Sequence, residues 1–286
     1  MKFLAIVQYT IKETISQKVI LLLLVVLTIL LAVFIFGVHI SAKNGVVEEM
    51  SLLGGKPMTS SCELADRPAS SMSVTPSFLS GLAEMLIALA FLGTLVLCTI
   101  ATAHTIPESL VNGTIILFLS RPLSRTSVLL GRYLGVALAV GMIQLYLVLG
   151  FWLVFIGKAG SINPFVLLTF PFLFISFASM FAWICLIGIT SKSTGMASIF
   201  ALLHVFALSA LLANPGRLLG IFQNSQAVQW LVRIAYYALP QLADLQKSAT
   251  NVLTVGSFEA APIAFSLLSA VLALVVSVLV FRRMDF

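Results

Sequence analysis

Apolar runs at about 19–38, 79–104, 128–156, 165–189, 196–213 and 263–281 alternate along the chain with shorter or more polar stretches. Each run is long enough for a helix to cross about 30 Å of hydrocarbon. The pattern predicts an all-α polytopic membrane protein of about six transmembrane helices, forming a single transmembrane domain over 1–286. Residues 1–18 precede the first run. Phe3, Val7, Ile11 and Ile15 recur there at helical spacing with Leu4 beside them, while Lys2, Lys12, Glu13 and Ser16 take the other side. That is an amphipathic helix suited to the membrane interface, or else an extension of the first span. The run after it is too long for the apolar region of a cleaved signal peptide.

The stretches between the runs differ in kind. Residues 39–78 are rich in Ser, Gly and Pro and read as a solvated loop carrying Cys62. Residues 214–262 are semi-polar, and Trp230, Tyr236 and Tyr237 alternate with Arg217, Gln226 and Arg233, as in amphipathic helices at an interface. The fourth run is crowded with Phe165, Phe170, Phe172, Phe174, Phe177 and Phe181, which read as lipid-facing filler or as an aromatic pathway; Pro171 is placed to kink it. Gly131, Gly135 and Ala139 form a small-residue stripe on the third, which suits tight packing within the subunit.

Composition changes the picture little. The chain is 60% hydrophobic and 9% charged with a mean hydropathy of +1.13, outside the range of soluble domains. Its net charge of +6 comes from Lys and Arg dispersed at span ends, so membrane orientation accounts for it and nucleic acid does not. Lys2, Lys12, Lys18, Arg121, Arg125, Arg132, Lys192, Arg282 and Arg283 fall on one side. The other side holds fewer basic residues over longer loops, so the first side, with both termini, is cytoplasmic.

The segment 105–127 then lies in the cytoplasm. Pro107 suits the first turn of a short helix and Glu108 the positive end of its dipole. Asn112-Gly113 is a stop, Ser120-Arg121-Pro122 a break, and Ser124 a cap for the next span. This order of Glu108, Gly113-Thr114, Leu117 to Leu119, Ser120-Arg121-Pro122, Ser124-Arg125 and Leu130-Gly131-Arg132 resembles the first cytoplasmic loop of ABC-2 type permeases, the membrane subunits of many bacterial ABC exporters. Ser109 to Asn112 departs from the more polar spacing usual there. Residues 1–18 resemble the elbow helix of that family, and Tyr236 to Pro240 a segment before its last span.

The resemblance implies a permease subunit, of an exporter, in the bacterial cytoplasmic membrane. Two copies would pair, as a homodimer or a related heterodimer, among membrane lipids. ATP would be used by a separate cytoplasmic ABC ATPase, docked on a coupling helix through Pro107, Glu108, Gly113, Thr114, Ser120, Arg121, Pro122, Ser124 and Arg125. The residues themselves carry no phosphate-binding loop, zinc helix, nucleophile elbow or paired cysteines, so no enzyme activity, cofactor or metal site is expected in this chain. Glu84 and His204 are ionisable residues within spans, and thus candidates for a pathway. Glu84 is also near enough to the interface to snorkel, and His204 reads equally as a hydrogen-bonded packing residue. A secondary transporter or channel, or a membrane scaffold without transport, are the alternatives.

Overall fold

The computed structural model describes residues 2–43, 46–52, 58–59, 77–105, 107, 124–159, 164–212, 226–254 and 257–283. Helices occupy all six apolar runs. They are α2 (Lys18–Gly37), α3 (Ser77–Ala103), α4 (Arg125–Ala159), α5 (Thr169–Ser191), α6 and α9 (Ala261–Arg283). Helix α6 is composite: Thr194–Leu203, a π-helical turn at His204–Leu208, then Ser209–Leu212. Three helices among the described residues are long and apolar enough to cross a membrane: Arg125–Val154 of α4, α5 and α9. A fourth arises if α1 (Lys2–Ser16) and α2, bent by 64° at their junction, count as one span. The described apolar parts of α3 and α6, Ala90–Ala103 and Thr194–Leu208, are shorter. The chain is therefore a helical membrane protein.

The side chains agree with that environment. Helix α9 turns Leu267, Leu268, Val271, Leu272, Val275 and Leu279 outward while burying Ser266, Ser269 and Ser277. Water would favour the opposite arrangement, whereas lipid tails accept it. The core lies among α3, α4, α5 and α9, where Tyr133, Phe181 and Phe177 form a ladder of stacked rings with successive centroids 5.6 Å apart. Phe172, Phe177 and Phe181 are thus core residues rather than lipid-facing filler. Pro171 falls in the first turn of α5, where its missing N–H leaves no bond unmade, so it is not a mid-span kink.

Helix directions follow from a few contacts. Tyr133 Oη donates to the Ala178 carbonyl at 2.8 Å, and Phe174 packs on Gly141, so α4 and α5 run antiparallel. Thr28 meets Tyr146 at 3.4 Å and Leu31 meets Gly150, so α2 runs parallel to α4. The starts of α2 and α4 and the ends of α5 and α9 therefore share one end of the bundle.

Helix α1 packs across α4 by a face other than its apolar stripe. Ile6, Val7, Thr10 and Thr14 are buried, while Phe3, Leu4 and Ile15 are exposed. Gly131 and Gly135 decide this. A Cβ at Gly131 would lie 2.8 Å from Ile6 Cγ2, and one at Gly135 2.5 Å from Thr10 Cβ and 3.1 Å from the Val7 carbonyl. The two backbones approach so closely that small and hydroxylic residues fill the seam. The freed apolar residues then face lipid.

Two stretches differ from their sequence reading. Within 39–78, antiparallel strands β1 (Val38–Lys43), β2 (Val46–Leu52) and β3 (Met58–Thr59) form a small sheet in the order β1-β2-β3, with a register irregularity at Ser41/Ala42. Cys62 lies outside the described residues. Within 214–262, α7 (Gln226–Ala238) and α8 (Leu242–Thr254) are amphipathic helices, but α8 does not rest on a surface. Leu242, Leu245, Ala249 and Val252 are buried, and Gln246 donates to the Ala88 carbonyl of α3 at 3.4 Å.

The seam makes a quantitative prediction. Gly135→Val should lower the stability of the detergent-purified protein by about 1–3 kcal/mol, because the added methyls meet backbone as well as side chain. Gly157→Val, where a Cβ meets nothing within 4 Å, is the control and should leave the melting temperature close to that of the parent.

Candidate functional site

The segment singled out by its sequence leaves and re-enters the bundle at the end shared by α2, α4, α5 and α9. On the leaving side Pro107 is buried against α5; a Cβ on Gly188 would lie 2.8 Å from its Cγ. On the returning side Ser124 caps α4, with Ser127 N–H donating to its Oγ at 3.2 Å. Arg125 follows and donates to the Arg282 carbonyl in the last turn of α9 at 3.4 Å, where a cation also complements the helix dipole. Glu108, Gly113, Thr114, Ser120, Arg121 and Pro122 lie outside the described residues. The segment is therefore anchored to α5 at one end and to α9 at the other.

Arg132 completes this end. It is only 3% exposed, and its Nη2 lies 3.3 Å from Glu13 Oε2 of α1. Gly131 and Arg132, read from sequence as the tail of the loop motif, are thus used by α1: the glycine admits the helix and the arginine pairs with it. An open groove of about 400 Å³ runs along the outer face of α1, lined by Gln8, Ile11, Lys12, Ile15 and Ser16.

The second buried polar region surrounds the break between α7 and α8. Leu239, Pro240 and Gln241 interrupt the helix, since proline offers no N–H to continue it. Ser269 lies roughly 12 Å along α9 from its start at 1.5 Å per residue, so the break is set well inside the bundle. Such backbone must find its partners within the protein. Ser269 Oγ donates to the Ala238 carbonyl at 2.6 Å and accepts from Trp183 Nε1 at 2.9 Å. Ser266 Oγ accepts from the Gln241 N–H at 3.2 Å, and Leu242 N–H returns to the Pro240 carbonyl at 3.0 Å. Tyr236 Oη donates to Asp244 Oδ2 at 2.9 Å. Burial, and then the adjacent carboxylate, push that phenol up to about 12, so it stays a donor at any physiological pH.

His204 belongs to this region. It is fully buried in the π-turn of α6, stacks on Phe200 with centroids 5.9 Å apart, and places Nε2 3.3 Å from the Pro240 carbonyl. A carbonyl only accepts, so Nε2 carries a proton. Its Nδ1 has no partner among the described residues. The Glu84 side chain lies outside the described residues. Ser266, Ser269, Trp183 and Gln241 were not marked by sequence, although serines at i and i+3 in an apolar helix form a polar stripe that was there to be read.

Among the described residues, no group of three or more His, Cys, Asp or Glu side chains is placed to hold a metal ion. Comparison with protein-family models and with curated proteins returns no match.

The Glu13–Arg132 pair yields a prediction. Glu13→Gln should destabilise the protein by about 1–3 kcal/mol, less than the loss for a fully buried pair because Glu13 is partly exposed, while Glu13→Leu combined with Arg132→Met should recover much of that. A thermal-unfolding double-mutant cycle measures the coupling.

Proposed function

We propose that the chain is the permease subunit of an ABC exporter, with six spans, both termini in the cytoplasm, and a separate ATPase docked on residues 105–127. The observation that carries this reading is the anchoring of that segment: Pro107 on Gly188 and Arg125 on the α9 terminus, at the end of the bundle that also presents Lys18, Lys192, Arg282 and Arg283. A basic end belongs in the cytoplasm. A segment fastened on both sides to different helices is suited to passing a rigid-body movement from a bound partner into the spans. Helix α1 would act as the elbow at the interface, and its outer groove, with Lys12 among Ile11 and Ile15, suits lipid. A second permease copy would complete the pathway.

The orientation is checked by cysteine labelling in whole cells. Asn251→Cys, exposed on α8, should react from outside, and Ser124→Cys only after permeabilisation. External reaction at Ser124→Cys would invert the topology.

The docking is checked by co-expression with a Walker-A ATPase encoded beside the permease gene. Glu108→Ala should reduce ATPase recovery by about tenfold, the weight of one charge-assisted hydrogen bond, with an unchanged melting temperature. Arg125→Glu tests the bundle too, since it removes the contact to Arg282. Absence of ATPase from the wild-type preparation, or equal recovery with Glu108→Ala, would contradict the reading.

A further inference from the structure

Several buried hydroxyls in these helices, Thr10, Thr99, Thr102, Ser176 and Ser277, each donate to their own helix's carbonyl one turn back. Thr14 of α1 and Thr105 do not, and neither does Thr94 of α3. Its Oγ1 is fully enclosed and has no partner among the described residues. Gln144 of α4 is likewise enclosed at 0% exposure, and its Oε1 has no partner among the described residues. Its amide N–H meets the enclosed thiol of Cys98, one turn below Thr94 on the same face of α3. A sulfur is a weak acceptor, so the amide is poorly satisfied.

The position is mid-membrane. Thr94 lies about 14 Å from the end of α3, and Gln144 about 15 Å from the Val154 end of the α4 span. The nearest charged residues along these two helices, Glu84 and Arg132, are roughly 15 and 18 Å away in rise. Leucine in place of Gln144 would remove a poorly satisfied amide from an enclosed core, so stability alone gives no reason for glutamine there. A reason exists if α3 and α4 part in a second conformation. Their seam is short compared with the α1–α4 and α5–α9 seams.

We propose that Gln144, Thr94 and Cys98 form a mid-membrane binding site, closed in this conformation, for an uncharged group that both donates and accepts hydrogen bonds. An amide or hydroxyl of a solute fits that chemistry, and so does water. The site rests on the transport reading only for what drives its opening.

Cys98 is the built-in reporter. Full-length protein carrying Cys62→Ser and Cys185→Ala, in native membranes, is treated with iodoacetamide, itself an uncharged amide, and in parallel with anionic iodoacetate. Rates are normalised to Ser124→Cys. Cys98 should react about tenfold faster with iodoacetamide than with iodoacetate, and Gln144→Leu and Thr94→Val should each slow it about tenfold, the weight of one hydrogen bond. Their melting temperatures should equal or exceed that of the parent, which separates loss of the site from loss of the fold. Added acetamide slows the reaction if the site holds a solute amide and leaves it unchanged if the site holds water. With a partner ATPase present, a rate that responds to Mg-ATP ties the opening to ATP hydrolysis. A rate that does not respond keeps the site and counts against the ATPase reading. Cys98 that reacts only after unfolding in detergent, or at a rate both substitutions leave unchanged, would overturn the proposal.

Discussion

Backbone set deep in a membrane bundle has no water to fall back on, and the break at 239–241 shows what that demands. Ser269, His204 and Ser266 are committed to the Ala238, Pro240 and Gln241 backbone groups, and the Trp183 indole donates to Ser269 Oγ. Helices α5, α6 and α9 are thereby fastened to one irregular turn. Helix α8 is held inside the bundle as a consequence, and its apolar face completes a second core with Phe91, Phe172 and Leu173. His204 is buried because a carbonyl needed a donor, and the π-turn that carries it opens α6 just where the break arrives.

The opposite end of the bundle is organised by close approach instead of by hydrogen bonding. Glycines at 131 and 135 let α1 lie against α4, and the Glu13–Arg132 pair locks its rotation. The same short stretch of α4 begins at the Ser124 cap and the Arg125 contact to α9. One helix end therefore meets the N-terminal helix, the C-terminal helix and the segment proposed to bind an ATPase. Mechanical coupling needs that convergence, since a movement at 106–123 with nothing rigid behind it would dissipate in the loop.

Much of the bundle was legible in the sequence, because apolar runs in a membrane protein are constrained by hydrocarbon thickness more than by tertiary context. The stripe Gly131, Gly135, Ala139 also reported its packing truly. The hairpin did not register as one, although Asn44-Gly45 between Val38-His39-Ile40 and Val46-Val47 is the short-range signal for it; the polar composition around it masked the alternation. Periodicity marked the apolar stripe of α1 for the membrane interface but did not mark the Ile6, Val7, Thr10 and Thr14 face that packs on α4. The interior position of α8 and the roles of Ser266 and Ser269 depend on partners far along the chain. No local pattern encodes those. For the proposed docking segment, Pro107, Ser124 and Arg125 are seen in place, and the motif residues between them lie outside the described residues.

The central claim is that this stretch is where a cytoplasmic partner grips the bundle. Hydrogen–deuterium exchange on the protein in lipid nanodiscs, with and without the co-expressed ATPase, tests it most directly. The account predicts that peptides covering 106–123 gain protection on ATPase binding while those covering 46–59 do not change. Protection confined to 46–59 or to α7, with 106–123 exchanging as in the isolated permease, would contradict it.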